Sequence, residues 1–202
     1  KMLGWQTMKM SGKSLVQGVE YPFSLTFKRP DKIRIEAEVQ GMKMIQVFDG
    51  KKGWAVTPWT GTTDPQDMTD DQNKEMKDKT EIEGVLYNWK EKGYKVELMG
   101  KEDFEGSQIY KIKVTKADGD IFLISIDAEN FVELRTVATI KIQGNDTESE
   151  SLSTDYKDQH GVLMAHTLVN KYKDQVVSQA VIEHVEINLE VADSLFVKPV
   201  KK

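Results

Sequence analysis

Apolar and polar residues alternate along most of this chain, and that period of two restricts it to strands. Phe23, Leu25 and Phe27 are separated by Ser24 and Thr26 and followed by Lys28. Ile33, Ile35, Ala37 and Val39 alternate with Arg34, Glu36, Glu38 and Gln40, and Met8 and Met10 stand between Thr7, Lys9 and Ser11. Successive side chains on a strand point to opposite faces, so each run has one apolar and one polar face. Similar runs cover Met42–Phe48, Gly53–Thr57, Lys95–Met99, Gln108–Thr115, Asp120–Ile126, Phe131–Ile142, Glu148–Tyr156, Gly161–Tyr172 and Val176–Leu189, about a dozen strands in all. Arg29-Pro30-Asp31-Lys32, Gln40-Gly41, Asp49-Gly50, Ala117-Asp118-Gly119 and Gly144-Asn145 supply the turns between them. These connections are too short for the crossovers that parallel strands need, so the spacing predicts a mainly β (α+β) fold, a single antiparallel meander forming one domain over residues 1–202.

One stretch departs from the period. From Asp64 to Lys92 the pattern turns helical, with Ile82, Val85, Leu86 and Trp89 spaced as one stripe of an amphipathic helix. Thr80 and Glu83 have the spacing of a capping box, and Gly93 stands where that helix would stop. Ahead of it, Pro65 to Lys79 reads as a weaker helix carrying Met68 and Met76, with Asp67, Asp70 and Asp71 in its first turn, where acids are favoured. The expectation is a helical lid over residues 64–92. A sheet of this many two-faced strands must curl to hide its apolar face, which gives an unclosed half-barrel with a helical lid or plug and an apolar cavity.

The net charge of −5 belongs to the same stretch: the eight acids and three bases between Asp64 and Glu83 account for the whole excess, and the remainder is balanced. A balanced body has no basic field for phosphates, which argues against a nucleic-acid partner. No apolar run is long enough to span a membrane as a helix. With no Cys there is no disulfide, thiolate metal site or Cys nucleophile. His160, His166 and His184 share no metal spacing, the carboxylate pairs read as solvated faces, and neither a Gly-x-Ser-x-Gly elbow nor a phosphate loop is present. No catalytic residue, metal or cofactor is expected.

Candidate binding residues come from the apolar pattern. Arg29 shares parity with Phe23, Leu25 and Phe27; either the strand ends there and Arg29 is solvated, or it stands at the rim of the apolar face and hydrogen-bonds backbone carbonyls. The Met residues and Trp54, Trp59 and Trp89 serve either as core or as an adaptable wall for a flexible ligand.

The segment Phe27-Lys28-Arg29-Pro30-Asp31-Lys32-Ile33-Arg34-Ile35-Glu36 resembles the Lys-Arg-Pro strand–turn–strand of bacterial outer-membrane lipoprotein carriers, the LolA/LolB-like Lol carrier/receptor superfamily. Phe48-Asp49-Gly50-Lys51-Lys52-Gly53-Trp54 through Pro58 looks like its next signature. Gly93-Tyr94-Lys95-Val96-Glu97-Leu98, Ile126-Asp127-Ala128-Glu129 and Asp193-Ser194-Leu195-Phe196 are similar to segments of its lipoprotein-sorting branch. The resemblance implies a lidded half-barrel whose cavity shields acyl chains. By position it makes Arg29 the latch that holds the lid backbone, and Ile33 and Ile35 cavity-lining residues. Taken with the pattern, the expected ligand-binding set is Phe23, Leu25, Phe27, Ile33, Ile35, Trp54, Ile82, Val85, Leu86 and Trp89.

The function expected is non-enzymatic: a carrier that binds lipoprotein acyl chains, or lipid, for transfer to the outer membrane. The alternative is a lipid- or lipoprotein-sensing interaction module on the same fold. The expected partners are lipoprotein acyl chains or lipid and membrane-bound donor and acceptor proteins, and the expected state is a monomer. The expected location is the periplasm, from a secreted precursor whose signal peptide is not in this chain, or anchored by lipid to the outer membrane.

Overall fold

The structure is a computed structural model that describes residues 2–142 and 145–199. Gly144, expected in a turn, lies outside the described residues. Among these residues there are thirteen strands: β1 (Thr7–Val16), β2 (Val19–Lys28), β3 (Lys32–Val39), β4 (Met42–Phe48), β5 (Gly53–Val56), β6 (Gln66–Asp67), β7 (Lys95–Phe104), β8 (Ser107–Thr115), β9 (Ile121–Asp127), β10 (Glu133–Ile142), β11 (Asn145–Gln159), β12 (Val162–Tyr172) and β13 (Gln175–Ile187). One α-helix, α1 (Asp70–Asp78), stands between β6 and β7.

The strands form a single sheet in the order β6-β5-β4-β3-β2-β1-β13-β12-β11-β10-β9-β8-β7. Its end strands, β6 and β7, are not neighbours, so the sheet is open, as the sequence pattern predicts. The meander runs in two stretches, β1 to β6 and β7 to β13, which meet where β13 lies beside β1. The insertion at residues 64–92 therefore contains one end strand, β6, and most of the connection that leads to the other. By compactness the chain divides into two units, Lys1–Ile82 with Val181–Lys202, and Glu83–Ala180.

In the first unit the register sorts side chains onto two faces. Phe27 pairs with Met8 and Ile33, and Ile33 with Phe48, so these four share a face. Arg34 pairs with Val47 and Val47 with Trp54, which puts those three on the opposite face. At Gly12 β1 lies close against β13: a Cβ there would sit 1.9 Å from the Val181 carbonyl oxygen, so no other residue fits without parting the strands.

In the second unit Val114, Ile109 and Ile124 are fully buried. Tyr110 stacks on Phe131. The Tyr156 hydroxyl donates to the Glu133 carbonyl, and burial, reinforced by the Glu133 charge, pushes its phenol up to about 12. Lys116 is buried with its ammonium near the Tyr94 and Phe122 rings, and buried Asp120 accepts from the Lys141 backbone N–H (3.2 Å).

The insertion corrects the expected helical lid. The stripe Ile82, Val85, Leu86 and Trp89 is not on a helix; residues 82–93 are a run of turns. Gly84 (φ +79°) and Asn88 (φ +51°) take left-handed backbone inside the stripe, which a right-handed helix cannot accommodate. One helical turn survives at its end. Gly93 N–H donates to the Lys90 carbonyl and Tyr94 N–H to that of Trp89, the paired bonds of a Schellman close around Gly93 (φ +70°). The expected Thr80/Glu83 box does not form either, because the Thr80 hydroxyl donates back to the Lys77 carbonyl (2.7 Å). Of the weaker segment, Asp70–Asp78 is helical, while Gln66–Asp67 form β6, so Asp67 is not in the first turn; Thr69 caps α1 with a reciprocal box, its side chain accepting from Gln72 N–H while the Gln72 side chain accepts from Thr69 N–H.

Candidate functional site

The apolar face of β1–β5 is built by the odd positions of β2 and β3 and their register partners. Phe27 and Ile33 are fully buried; Phe23, Leu25 and Ile35 are half-buried. The gradient follows the cover. Met76 of α1 and Met68 before it pack on Ile33 and Phe48, with Leu25, Ile35 and Ala55 at the edge of that cluster. Met76 is the one side chain of α1 that is buried; the rest of the helix is polar.

α1 is tied down at Gly53. The Gly53 N–H donates to Asn73 Oδ1 (2.5 Å), the Asn73 amide donates to the Met68 carbonyl (3.1 Å), and Met68 N–H donates to the Gly53 carbonyl (3.0 Å). A Cβ at Gly53 would stand 2.5 Å from Met68 Sδ and 2.8 Å from the Val47 carbonyl oxygen, so the helix can sit this low only over glycine. The cover is thus small, polar outside and fixed by two methionines, Met68 and Met76, and by Asn73.

Arg29 is not solvated at a strand end. Its Nε donates to the Trp5 carbonyl (2.6 Å) and its Nη2 to the Met2 carbonyl (3.2 Å), while its backbone N–H donates to the Gln6 carbonyl (2.9 Å). The guanidinium lies 5.9 Å from the centre of the Phe27 ring. It therefore holds the N-terminal 3₁₀ turn, Met2–Gly4, against the end of β2, and buried Trp5 goes with it. Trp5 and the Met2 carbonyl had no periodic signal in the sequence.

Trp54 lies apart from the other expected residues. It is buried on the opposite face, with Val47, beneath the C-terminal segment that contributes Val191 and Phe196. Its indole Nε1 donates to the Phe196 carbonyl (3.2 Å). Of the remaining expected residues, Ile82 closes the first unit, Val85, Leu86 and Trp89 belong to the second, and all four are half-buried.

That C-terminal segment is a strap laid over the face whose positions read as polar. Thr7 Oγ1 donates to the Leu189 carbonyl (2.7 Å), Lys28 Nζ to that of Val191 (2.7 Å) and Arg34 Nη1 to that of Leu195 (2.9 Å). Lys28 and Lys32 both reach Asp193 (3.1 and 2.8 Å), whose carboxyl they hold below its ordinary range, and Lys32 also lies over the Phe196 ring. Lys198 pairs with Asp67 (2.9 Å). The basic residues on this face are therefore donors to a covering chain. Beside the strap a groove of about 800 Å³ opens, with Ile45, Trp54 and Val56 from the sheet on one side and Leu195 and Val197 on the other.

No group of three or more metal-ligating side chains converges among the described residues, and no helix among them is long and apolar enough to cross a membrane. His166 is buried with its Nε2 3.0 Å from the Gln159 amide nitrogen, and His160 and His184 are exposed.

No family model and no curated protein matches the sequence. Solved structures do match in fold. A LolA superfamily protein from Nitrosomonas europaea superimposes with a TM-score of 0.66 at 12% identity, covering 95% of this chain and 89% of that one. A DUF1329 family protein from Desulfovibrio piger gives 0.69 at 11%, covering 96% and 90%. A protein named as a putative outer membrane lipoprotein-sorting protein domain, from Vibrio parahaemolyticus, gives 0.66 at 11%, covering 96% and 90%.

Proposed function

From its LolA-like fold, we propose that this protein is a non-enzymatic periplasmic carrier that shields lipoprotein acyl chains, or lipid, on their way to the outer membrane. The observation that carries the reading is the apolar face of β2 and β3. It continues past α1 as half-buried Phe23, Leu25 and Ile35, beneath a cover fixed by a single buried helix side chain. Each methylene taken from water onto such a face is worth about 0.8 kcal/mol, so a lipid with two or three chains gains strongly. A light cover suits transfer, because a carrier must hold and release, and a ligand shifts a cover only through different affinity for its two positions.

In this reading Phe23, Leu25, Phe27, Ile33 and Ile35 contact the acyl chains, and α1, whose Met76 packs on Ile33 and Phe48, is the cover that must move. Trp54 has no part in it. Arg29 acts as the latch through the N-terminal turn it holds. Arg29→Leu should loosen that turn while the sheet stays folded, and transfer of a lipoprotein to acceptor membranes should change severalfold. Unaltered transfer kinetics would end the latch assignment.

Native mass spectrometry of the protein purified from its own periplasm tests the carrier reading. A co-purifying acylated species, lost in Leu25→Arg, is expected; protein that is repeatedly empty would count against it. The second reading, a sensing or protein-interaction module, draws on the end strand β7, where Leu98 (67% exposed) and Met99 (57%) stand out at a β-bulge. It predicts ligand-dependent binding to a protein that Leu98→Lys abolishes; a carrier should be indifferent to that change.

A further inference from the structure

We infer that the open edge of β7 is an interface with a second copy of this chain, the two β7 strands pairing antiparallel about a two-fold axis. This goes beyond the carrier reading, departs from the monomer expected of the sequence, and needs no ligand. β7 ends the sheet, and among the described residues no strand pairs with its outer side. A ten-residue edge with unpaired backbone N–H and C=O groups is a template for another strand. Near its middle Leu98 and Met99 are both more than half exposed.

The β-bulge decides which residues of β7 share a face. Leu98 pairs with Ile112 and Gly100 with Lys111, so Met99 is the extra residue and the alternation shifts by one there. Lys95 and Glu97 ahead of the bulge therefore share a face with Gly100 and Glu102 after it, and Glu102 accordingly reaches Lys111 (3.0 Å). Val96, Leu98 and Lys101 lie on the other face. A bulge ordinarily turns an edge away from pairing. On a two-fold axis the two bulges stand opposite each other, and both strands change face together. Leu98 and Met99 then meet their own copies, and Lys95 stands opposite the second copy's Glu102, twice.

The charges select this register. The ion pairs Lys95–Glu97 (3.3 Å) and Lys111–Glu102 lie at the surface, where single pairs are weak and networks gain. Joined across the axis they make one alternating row: Glu97, Lys95, then Glu102 and Lys111 of the second copy. Glu97 also has Lys113 opposite it on β8, so each carboxylate on this face of β7 has a base on either side. On the other face Lys101, which lies over the Tyr110 ring (4.6 Å), comes opposite Val96 and not a charge. A slide of two residues is the smallest that keeps the faces matched. In one direction it sets Glu97 against the second copy's Glu97, in the other against its Glu102, and like charges directly opposed repel. The register between these two opposes no like charges and is the one that buries Leu98 and Met99.

Sedimentation of the full chain from micromolar to millimolar concentration tests the pairing. A reversible dimer is expected, and Leu98→Lys should be monomeric throughout. Lys95→Glu and Glu102→Lys should each weaken the dimer at least about tenfold, since a pair is lost twice and replaced by a repulsion. The two combined should restore it, a rescue that misfolding could not produce. Because the chain has no Cys, Leu98→Cys should give a disulfide-linked dimer on mild oxidation, whereas Leu163→Cys, also at an exposed leucine, should not. A chain monomeric at every concentration, a dimer untouched by Leu98→Lys, or a charge swap no stronger than its single variants would each overturn the assignment. Lipoprotein transfer by Leu98→Lys should match the wild type, so these failures leave the carrier reading standing.

Discussion

The two faces of β1–β5 are covered in opposite ways. One is apolar and carries a short polar helix that buries one methionine. The other presents Lys28, Lys32 and Arg34 and carries an extended strap that buries Val191 and Phe196. The strap is held by charged donors on backbone carbonyls, bonds that lock one register, while the helix is held mainly by Met68 and Met76 and by the Asn73 tether. Charge-assisted bonds are about twice as strong as neutral ones and directional; a single apolar contact is neither. The strapped face is thus held by directional bonds to charged donors and the helical face mainly by apolar packing.

Substitutions should separate the two. Phe196→Ala removes a fully buried ring and should cost about 3–5 kcal/mol, read as a lower urea midpoint, with acyl binding to the opposite face unchanged in the protein that remains folded. Met76→Ala should cost less, at the lower end of about 2–5 kcal/mol for a buried Met, and should make Ile33 and Phe48 amides exchange faster with solvent. Equal losses from both changes would remove the distinction. Thr69→Ala deletes the cap of α1 and should cost about 1 kcal/mol, with exchange rising in residues 70–78 and not in the strap.

The smallest effect is a dependence on pH. Burial would raise the Glu36 carboxyl, but hydrogen bonds from Lys43 and Arg34 and their charges outweigh it and hold Glu36 below its ordinary 4.5. A carboxyl depressed on folding stabilises the native state above its unfolded value and loses that contribution as the pH falls through the folded one. The stability gap between wild type and Glu36→Gln should therefore be constant above pH 4.5 and shrink in acid. A gap that widens in acid would show the ion pair to be absent.

The strands were legible because period two reports a face directly, and the open antiparallel order followed from the short turns. The insertion was not. Ile82, Val85, Leu86 and Trp89 keep helical spacing, yet Gly84 and Asn88 take left-handed backbone between them. Within Pro65–Lys79, Asp70–Asp78 folds as a helix because Thr69 caps it and Gly53 leaves room beneath it. Caps and docking decide short helices more than periodicity does.

The strap was hidden for a different reason. Alternation says that Lys28, Lys32 and Arg34 share a face; it cannot tell water from a covering chain that presents carbonyl oxygens. Parity did carry one usable signal, since Trp54 and Val56 alternate with Gly53 and Ala55, and only the latter pair joins the face of Ile33. For Arg29 parity left two readings, solvated at a strand end or bonded to backbone carbonyls; the second holds, with carbonyls from an N-terminal turn that no pattern marked.

The central claim is that the acyl chains lie on the helix-covered face. A photo-crosslinking residue placed at Phe23 in one protein and at Lys43 in another tests it most directly, in cells that make native lipoproteins. The account predicts a lipoprotein adduct from position 23 and none from position 43. Adducts from position 43 alone, or from neither, would contradict it.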